Sequence, residues 1–327
     1  MITVQDLRKA YRLGSREILA LRGVSLHIPR GEIHGVVGPS GAGKSTLVRC
    51  LTVVERPTSG SVTVDGKELT ALGERELRTA RRSIGMVFQN VNLLDNRTAA
   101  QNVAHPLELA RVPRERRKER VAELLELVGL GDRGAAYPSQ LSGGQRQRIG
   151  IARALAAEPS VLLCDEPTSA LDARTTHSIL QLIRDVRDRL GVTVILITHE
   201  PAVVKEACDS VSRLHDGRIV QQGPVAEALT APESELAHDL LPLVTAASDA
   251  RAEDVVDITF SGDAKGTELL SQLARRFDVD ARIVAATVET HRGRQYGRMR
   301  LGFGPGAPMP QILEFLAGNG VAAEVVR

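Results

Sequence analysis

The stretch Gly38-Pro39-Ser40-Gly41-Ala42-Gly43-Lys44-Ser45-Thr46 constrains this chain more than any other. It has the spacing GxxxxGK(S/T), follows an apolar run at residues 33–37 and precedes Leu47, Val48 and Leu51, which recur at helical spacing. A strand, a glycine-rich turn and a helix start in that order form a phosphate-binding loop. Glycines let the backbone turn its N–H groups inward as an anion cradle, and the helix dipole adds positive potential there. The spacing assigns Lys44 to the β- and γ-phosphates of a nucleotide and the Ser45 hydroxyl to Mg²⁺.

The remaining chemistry lies further along. Ile2, Val4 and Leu7 start a strand, and Val24, Leu26 and Ile28 alternate with polar residues, with Tyr11 between them. Val62 and Val64 alternate within residues 61–64 after the turn Pro57-Thr58-Ser59-Gly60. Residues 84–87 read as a short buried strand that leads through Phe88 to Gln89, and the region from there to Gln140 is charged and helical. Val121, Leu124, Leu125 and Val128 share one helix face, and the glutamates among Arg114, Arg116, Arg117, Lys118 and Arg120 mark a solvated one. Leu141-Ser142-Gly143-Gly144-Gln145 opens another helix, where serine and glycine either cap the helix or present N–H groups to a phosphate. Residues 161–164 are wholly apolar and run into Asp165 and Glu166. A strand apolar on both faces implies a parallel sheet, and carboxylates at its C-terminal end imply chemistry. Asp165 suits a magnesium shell and Glu166 a base that orients and activates water. Ser169-Ala170-Leu171-Asp172 follows at once, then a helix over residues 176–190 and a buried strand over residues 192–197 that ends at Thr198-His199. Asp216-Gly217 turns a hairpin between residues 211–214 and 219–220.

Length and charge narrow the class. A chain of 327 residues predicts two domains, and a net charge of +2 argues against a nucleic-acid binder. Cys50, Cys164 and Cys208 are scattered without metal-binding spacing and read as reduced, packed thiols. No apolar run reaches the length of about 18 residues that a membrane span needs, and the start MITVQDLRKAY lacks a signal-peptide pattern, so the chain is not expected to cross a membrane alone.

The order of these motifs resembles an ABC-transporter ATPase over residues 1 to about 240: the phosphate loop, Gln89, LSGGQ, a strand ending in Asp165-Glu166, SALD and His199. That resemblance implies ATP and Mg²⁺ as ligands, Tyr11 stacked on adenine, and Gln89 sensing metal, water and a membrane partner. It makes Asp165 the metal-binding acid, Glu166 the base and His199 the γ-phosphate switch. It places Ser142, Gly143 and Gly144 at a neighbouring subunit's ATP, so that a homodimer holds two composite sites, and it counts Gln145 and Asp172 among the nucleotide-binding residues. An integral-membrane permease and, indirectly, a substrate-binding lipoprotein are the further partners implied, with the chain peripheral on the cytoplasmic face of the cell membrane. Asn92-Leu93-Leu94, Arg97-Thr98, Asn102-Val103-Ala104, Pro106-Leu107-Glu108-Leu109, residues 162–166 and Thr175-Thr176 are similar to the ATP subunit of bacterial D/L-methionine importers. Importers of another amino acid or a short peptide share parts of this pattern.

After residues 1–245, residues 246–253 read as a linker of small and charged residues. In residues 254–327, alternation at Val256, Ile258 and Phe260, at Val284, Ala286 and Val288, at Met299, Leu301 and Phe303, and at Val321, Ala323 and Val325 marks four strands. Helix faces at Leu269, Leu270, Leu273 and Phe277 and at Met309, Ile312, Leu313 and Leu316 complete a βαββαβ ferredoxin-like module. The whole is thus an α/β phosphate-loop ATPase with a helical subdomain, followed by a small α+β domain. The tail resembles the NIL domain of methionine-importer ATPases, which is similar to ACT-type amino-acid sensors. That implies a regulatory methionine, with the loop from Ser261 to Gly266 as its expected approach, or else dimerisation alone. Just before the apolar run of the second strand, Arg282 stands where the family resemblance leads one to expect an asparagine.

Overall fold

The computed structural model describes residues 1–14, 16–169, 171–230, 234–243, 254–261 and 266–326. The expected linker at residues 246–253, the loop residues Gly262, Asp263, Ala264 and Lys265, and Ala170 lie outside the described residues.

Two compact units divide the chain, Met1–Gln222 and Gly223–Arg327. In the first, strands β1 (Ile2–Leu13), β2 (Arg16–Ile28), β4 (Ser59–Val64) and β5 (Lys67–Glu68) form an antiparallel sheet in the order β2-β1-β4-β5. A second sheet has the order β10-β9-β3-β8-β7-β6. Its members are β3 (Ile33–Val37), β6 (Ile84–Val87), β7 (Val161–Asp165), β8 (Thr193–Thr198), β9 (Ser210–His215) and β10 (Arg218–Pro224). From β6 to β9 its pairings are all parallel. Every residue of β3 and β8 is buried, which is why these strands lack the two-residue alternation of β2. Helix α1 (Lys44–Leu51) buries Leu47, Val48 and Leu51 in one core with Ile2, Val4, Leu26 and Val62 of the first sheet and Val36, Leu163 and Ile195 of the second. Each such side chain contributes about 1.5–3 kcal/mol through burial, so the phosphate loop before α1 is held from both sheets.

Helix α2 (Glu74–Ala80) precedes β6. Helices α3 (Ala99–Leu109), α4 (Arg114–Leu127) and α5 (Gly143–Leu155) pack on one another as a helical layer. Thr98 and Gln101 form a reciprocal cap on α3, and ion pairs of Lys118 with Glu115 and Arg120 with Glu123 occupy the polar face of α4. Helix α6 (Ala173–Leu190) starts three residues before the expected Thr176, because Asp172 caps it, and it stops at Gly191, whose φ is 66°. Helix α7 (Pro201–Ala207) joins β8 to β9.

The second unit takes in residues from Gly223 onward, which the sequence reading counts with the ATPase part. It holds α8 (Val225–Ala228), α9 (Glu235–Leu240), β11 (Asp254–Ser261), α10 (Gly266–Phe277), β12 (Ala281–His291), β13 (Arg294–Phe303), α11 (Met309–Gly318) and β14 (Ala322–Val326). The Thr287 hydroxyl donates to the Pro242 carbonyl at 2.7 Å, tying the earlier segment to β12. The sheet order β12-β13-β11-β14 is that of a split βαβ fold. Val256, Ile258, Phe260, Met299, Leu301 and Phe303 pack under Leu273, Ile312 and Leu316 as expected. One strand differs: Ala285 is buried while Ala286 and Val288 are exposed. A register shift between Ile283 and Ala285 moves the inward set by one residue.

Candidate nucleotide site

Residues 38–46 lie at the C-terminal end of β3, between β8 and β9. Close packing dictates the glycines. A Cβ on Gly38 would stand 2.2 Å from the Leu214 carbonyl oxygen, and one on Gly43, at φ 107°, 2.7 Å from that of Ala20. The Gly217 N–H donates to the Ala42 carbonyl at 3.0 Å, so the β9–β10 hairpin turn buttresses the loop. The sequence reading found this Asp-Gly turn but not what it presses against, since turn chemistry carries no record of distant packing. Lys44 Nζ donates to the carbonyls of Gly38 at 2.7 Å and Pro39 at 3.0 Å, which holds its cation over the loop, while Ser45 is exposed.

The acidic pair arrives on the neighbouring strands. Asp165 ends β7 opposite Ile197 of β8, and the Glu166 N–H donates to the Ile197 carbonyl at 2.9 Å. Glu166 has φ 47°, a left-handed conformation uncommon for a side-chain-bearing residue and typical of functional turns. His199 Nδ1 lies 2.8 Å from Glu166 Oε1. Burial pushes the Lys44 ammonium below its ordinary pKa, against the opposing pull of Glu166 and Asp165. Burial, then the neighbouring Glu166 charge, pushes the Asp165 carboxyl up, against Lys44 and Arg49. Lys44, Asp165, Glu166 and His199 thus form one electrostatic group at one sheet edge. The Asp165 and Glu166 carboxylates and the exposed Ser45 hydroxyl of the loop are oxygen donors of the type that Mg²⁺ takes.

A second group stands on its own contacts. Ser142 caps α5 in a reciprocal box, its hydroxyl accepting from the Gln145 N–H at 3.2 Å while its own N–H donates to Gln145 Oε1 at 2.9 Å. A Cβ on Gly144 would meet Thr175 Cγ2 at 2.5 Å. Thr175 is in turn held by Asp172, to which its N–H donates at 3.0 Å and its hydroxyl at 2.6 Å. These bonds hold the Asp172 carboxyl below its ordinary pKa. Asp172, expected as a nucleotide contact, caps α6 and supports Thr175. No hydrogen bond of Ser142, Gln145 or Asp172 reaches residues 38–46. Gln89 is exposed just beyond β6. Tyr11, on β1, donates its hydroxyl to Glu55 Oε2 at 2.8 Å. The sequence reading did not anticipate Glu55, which lies 44 residues away and belongs to no motif.

Comparison with known proteins places these residues in a family. Residues 21–169 match the ABC transporter family and residues 254–325 the NIL domain. The methionine import ATP-binding protein MetN of Streptomyces griseus is 53% identical over 334 residues, spanning 100% of this chain and 93% of that protein. Its namesake in Thermobifida fusca is 52% identical over 326 residues, 100% of both chains. A dimeric ATP-binding cassette solved in a post-hydrolysis state with ADP and phosphate superposes with a TM-score of 0.64 at 37% identity, covering 69% of this chain and 99% of its own. Over its whole length, then, the chain belongs to the family of ABC-transporter ATP-binding proteins with a NIL domain, that of the methionine import ATP-binding proteins.

Proposed function

We propose that the chain is the ATP-hydrolysing motor subunit of a methionine importer. The observation that carries the chemistry is the Glu166–His199 pair, 2.8 Å apart on the strand ends beside the phosphate loop. In this reading residues 38–46 cradle the phosphates through backbone N–H groups, and Lys44 leaves the Gly38 and Pro39 carbonyls to neutralise the β- and γ-phosphates. Glu166 accepts a proton from the attacking water as its oxygen bonds to the γ-phosphorus and ADP departs. His199 fixes the Glu166 carboxylate and meets the γ-phosphate. Ser45 and Asp165 would hold Mg²⁺, with Gln89 beside it, and the ion would neutralise phosphate charge.

The separate cluster of Ser142, Gly143, Gly144 and Gln145 supports a two-fold dimer. Each chain carries the phosphate loop of one site and the signature helix start of the other, so ATP closes the pair and hydrolysis opens it. Among the described residues no helix is long and apolar enough to cross a membrane. A separate permease then carries the cargo, with the motor peripheral on the cytoplasmic face and a substrate-binding lipoprotein feeding the other side. Beside β6, a groove of about 710 Å³ lined by Met86, Phe88, Leu94, Pro106 and Leu109 is the surface where the permease would dock. Methionine as cargo rests on full-length likeness to proteins named for methionine import. Co-purification with the permease encoded beside it, followed by uptake into proteoliposomes, tests this. ATP-dependent uptake of methionine in preference to other amino acids is expected, and uptake of another solute alone would reassign the cargo.

A further inference from the structure

Tyr11 is fixed by two neighbours that no nucleotide motif contains. Its hydroxyl donates to Glu55 Oε2 at 2.8 Å, and Lys9 Nζ sits 3.0 Å from Glu55 Oε1. The same ammonium stands 5.2 Å from the Tyr11 ring centroid and donates to the Arg56 carbonyl at 2.8 Å. Lys9 and Glu55 keep only 14% and 26% of their side-chain surface exposed, so this is a half-buried ion pair, firmer than a surface one. Tyr11 pairs in register with Ile18 of β2, two residues before Ala20, whose carbonyl abuts Gly43 of the phosphate loop. The locked ring therefore stands on the strand pair that borders the loop.

We propose that Glu55 and Lys9 are positioning residues for the nucleotide base, acting through Tyr11. The proposal rests on the reading of Tyr11 as the adenine-stacking residue. Glu55 restrains the ring at its hydroxyl end, and Lys9 holds Glu55 and covers one ring face, so a base that stacks on the other meets an ordered partner. Ordering the ring beforehand removes a cost that binding would otherwise bear.

Equilibrium titrations of the full chain with ATP and with tripolyphosphate, which has no base, separate the two claims. Glu55→Ala and Tyr11→Phe each lose one restraint and are expected to weaken ATP binding about 3- to 10-fold, with tripolyphosphate affinity unchanged. Glu55→Gln, which still accepts the hydroxyl, is expected to bind ATP within about 2-fold of the parent chain. Tyr11→Phe added to Glu55→Ala is expected to cost nothing further, because Glu55→Ala has already removed the bond that Tyr11→Phe breaks. Equal weakening toward ATP and tripolyphosphate would make Glu55 a structural residue only and overturn the proposal. A selective ATP loss in Tyr11→Ala with none in Glu55→Ala would overturn the proposal and keep Tyr11 as the stacking residue. No selective loss in Tyr11→Ala would overturn both.

Discussion

Gly38 has no room for a methyl group, since the position of its Cβ lies 2.2 Å from a backbone oxygen of β9. Backbone cannot give way as a flexible side chain can. Gly38→Ala is therefore expected to lower stability by about 1–3 kcal/mol and to weaken ATP binding more than 10-fold, read by thermal melts and nucleotide titration. Asp165 poses the opposite case. Its carboxylate is half-buried beside Glu166, an arrangement that suits a cation and strains the free protein. Asp165→Asn should melt higher than the parent chain without nucleotide and lose the extra stabilisation that Mg-ATP gives the parent. A lower melting temperature without nucleotide would contradict that burial argument. The grouping of Lys44, Asp165 and Glu166 was legible in the sequence because short spacings put each of them at the end of a buried strand or of the loop that follows it. The Glu55 partner of Tyr11 and the capping duty of Asp172 were not, because each depends on which side chain the fold sets nearby.

Among the elements, α3 depends on one buried amide. Asn102 accepts from the Leu94 N–H at 2.7 Å and donates to the carbonyls of Leu94, Arg97 and Thr98, fastening the loop that follows Gln89 to the helix. Asn102→Ala leaves the Leu94 N–H without its partner and is expected to cost about 2–3 kcal/mol in urea unfolding. At the start of β3, buried His34 lies between the hydroxyls of Ser210 and Ser212. The His34 imidazole, 3.8 Å away, and the Ser210 hydroxyl, which donates to Glu32 Oε1, hold the Glu32 carboxyl below its ordinary value of 4.5, against burial. A depressed carboxyl stabilises the fold above its unfolded pKa, and that stability disappears as pH falls through the folded one. Glu32→Gln should thus unfold more easily than the parent chain at pH 7, with the difference shrinking as pH falls below 4.5. An equal deficit in both pH ranges would mean that packing, not charge, is lost. Strand and helix order was legible from apolar periodicity, as β3, β7 and β8 illustrate. The register slip in β12 was not, because a bulge leaves the residue types unchanged and only displaces them between faces.

For the whole molecule, the division into two units falls within β10, a strand that belongs to the ATPase sheet and continues into the second unit. Sequence patterning instead places the border at residues 246–253, at a change of composition, which is a different criterion from the contacts that define the two units. The NIL-type module was legible from four alternating segments and two apolar helix faces, whereas Arg282 has an exposed place on β12 opposite Gly302 that residue type alone could not assign. In the proposed motor reading, dimer closure and catalysis meet at Glu166. Glu166→Gln keeps the size of the residue and removes the base, while residues 38–46 and Asp165 remain to bind Mg-ATP. Steady-state hydrolysis, with mass in solution followed by size-exclusion chromatography and light scattering, is the most direct test of the motor reading. Hydrolysis should fall by about 10²–10⁴-fold, and Mg-ATP should drive the variant to a stable species of about twice the 35.2 kDa chain mass. A variant that hydrolyses ATP at the parent rate and stays monomeric would contradict the account.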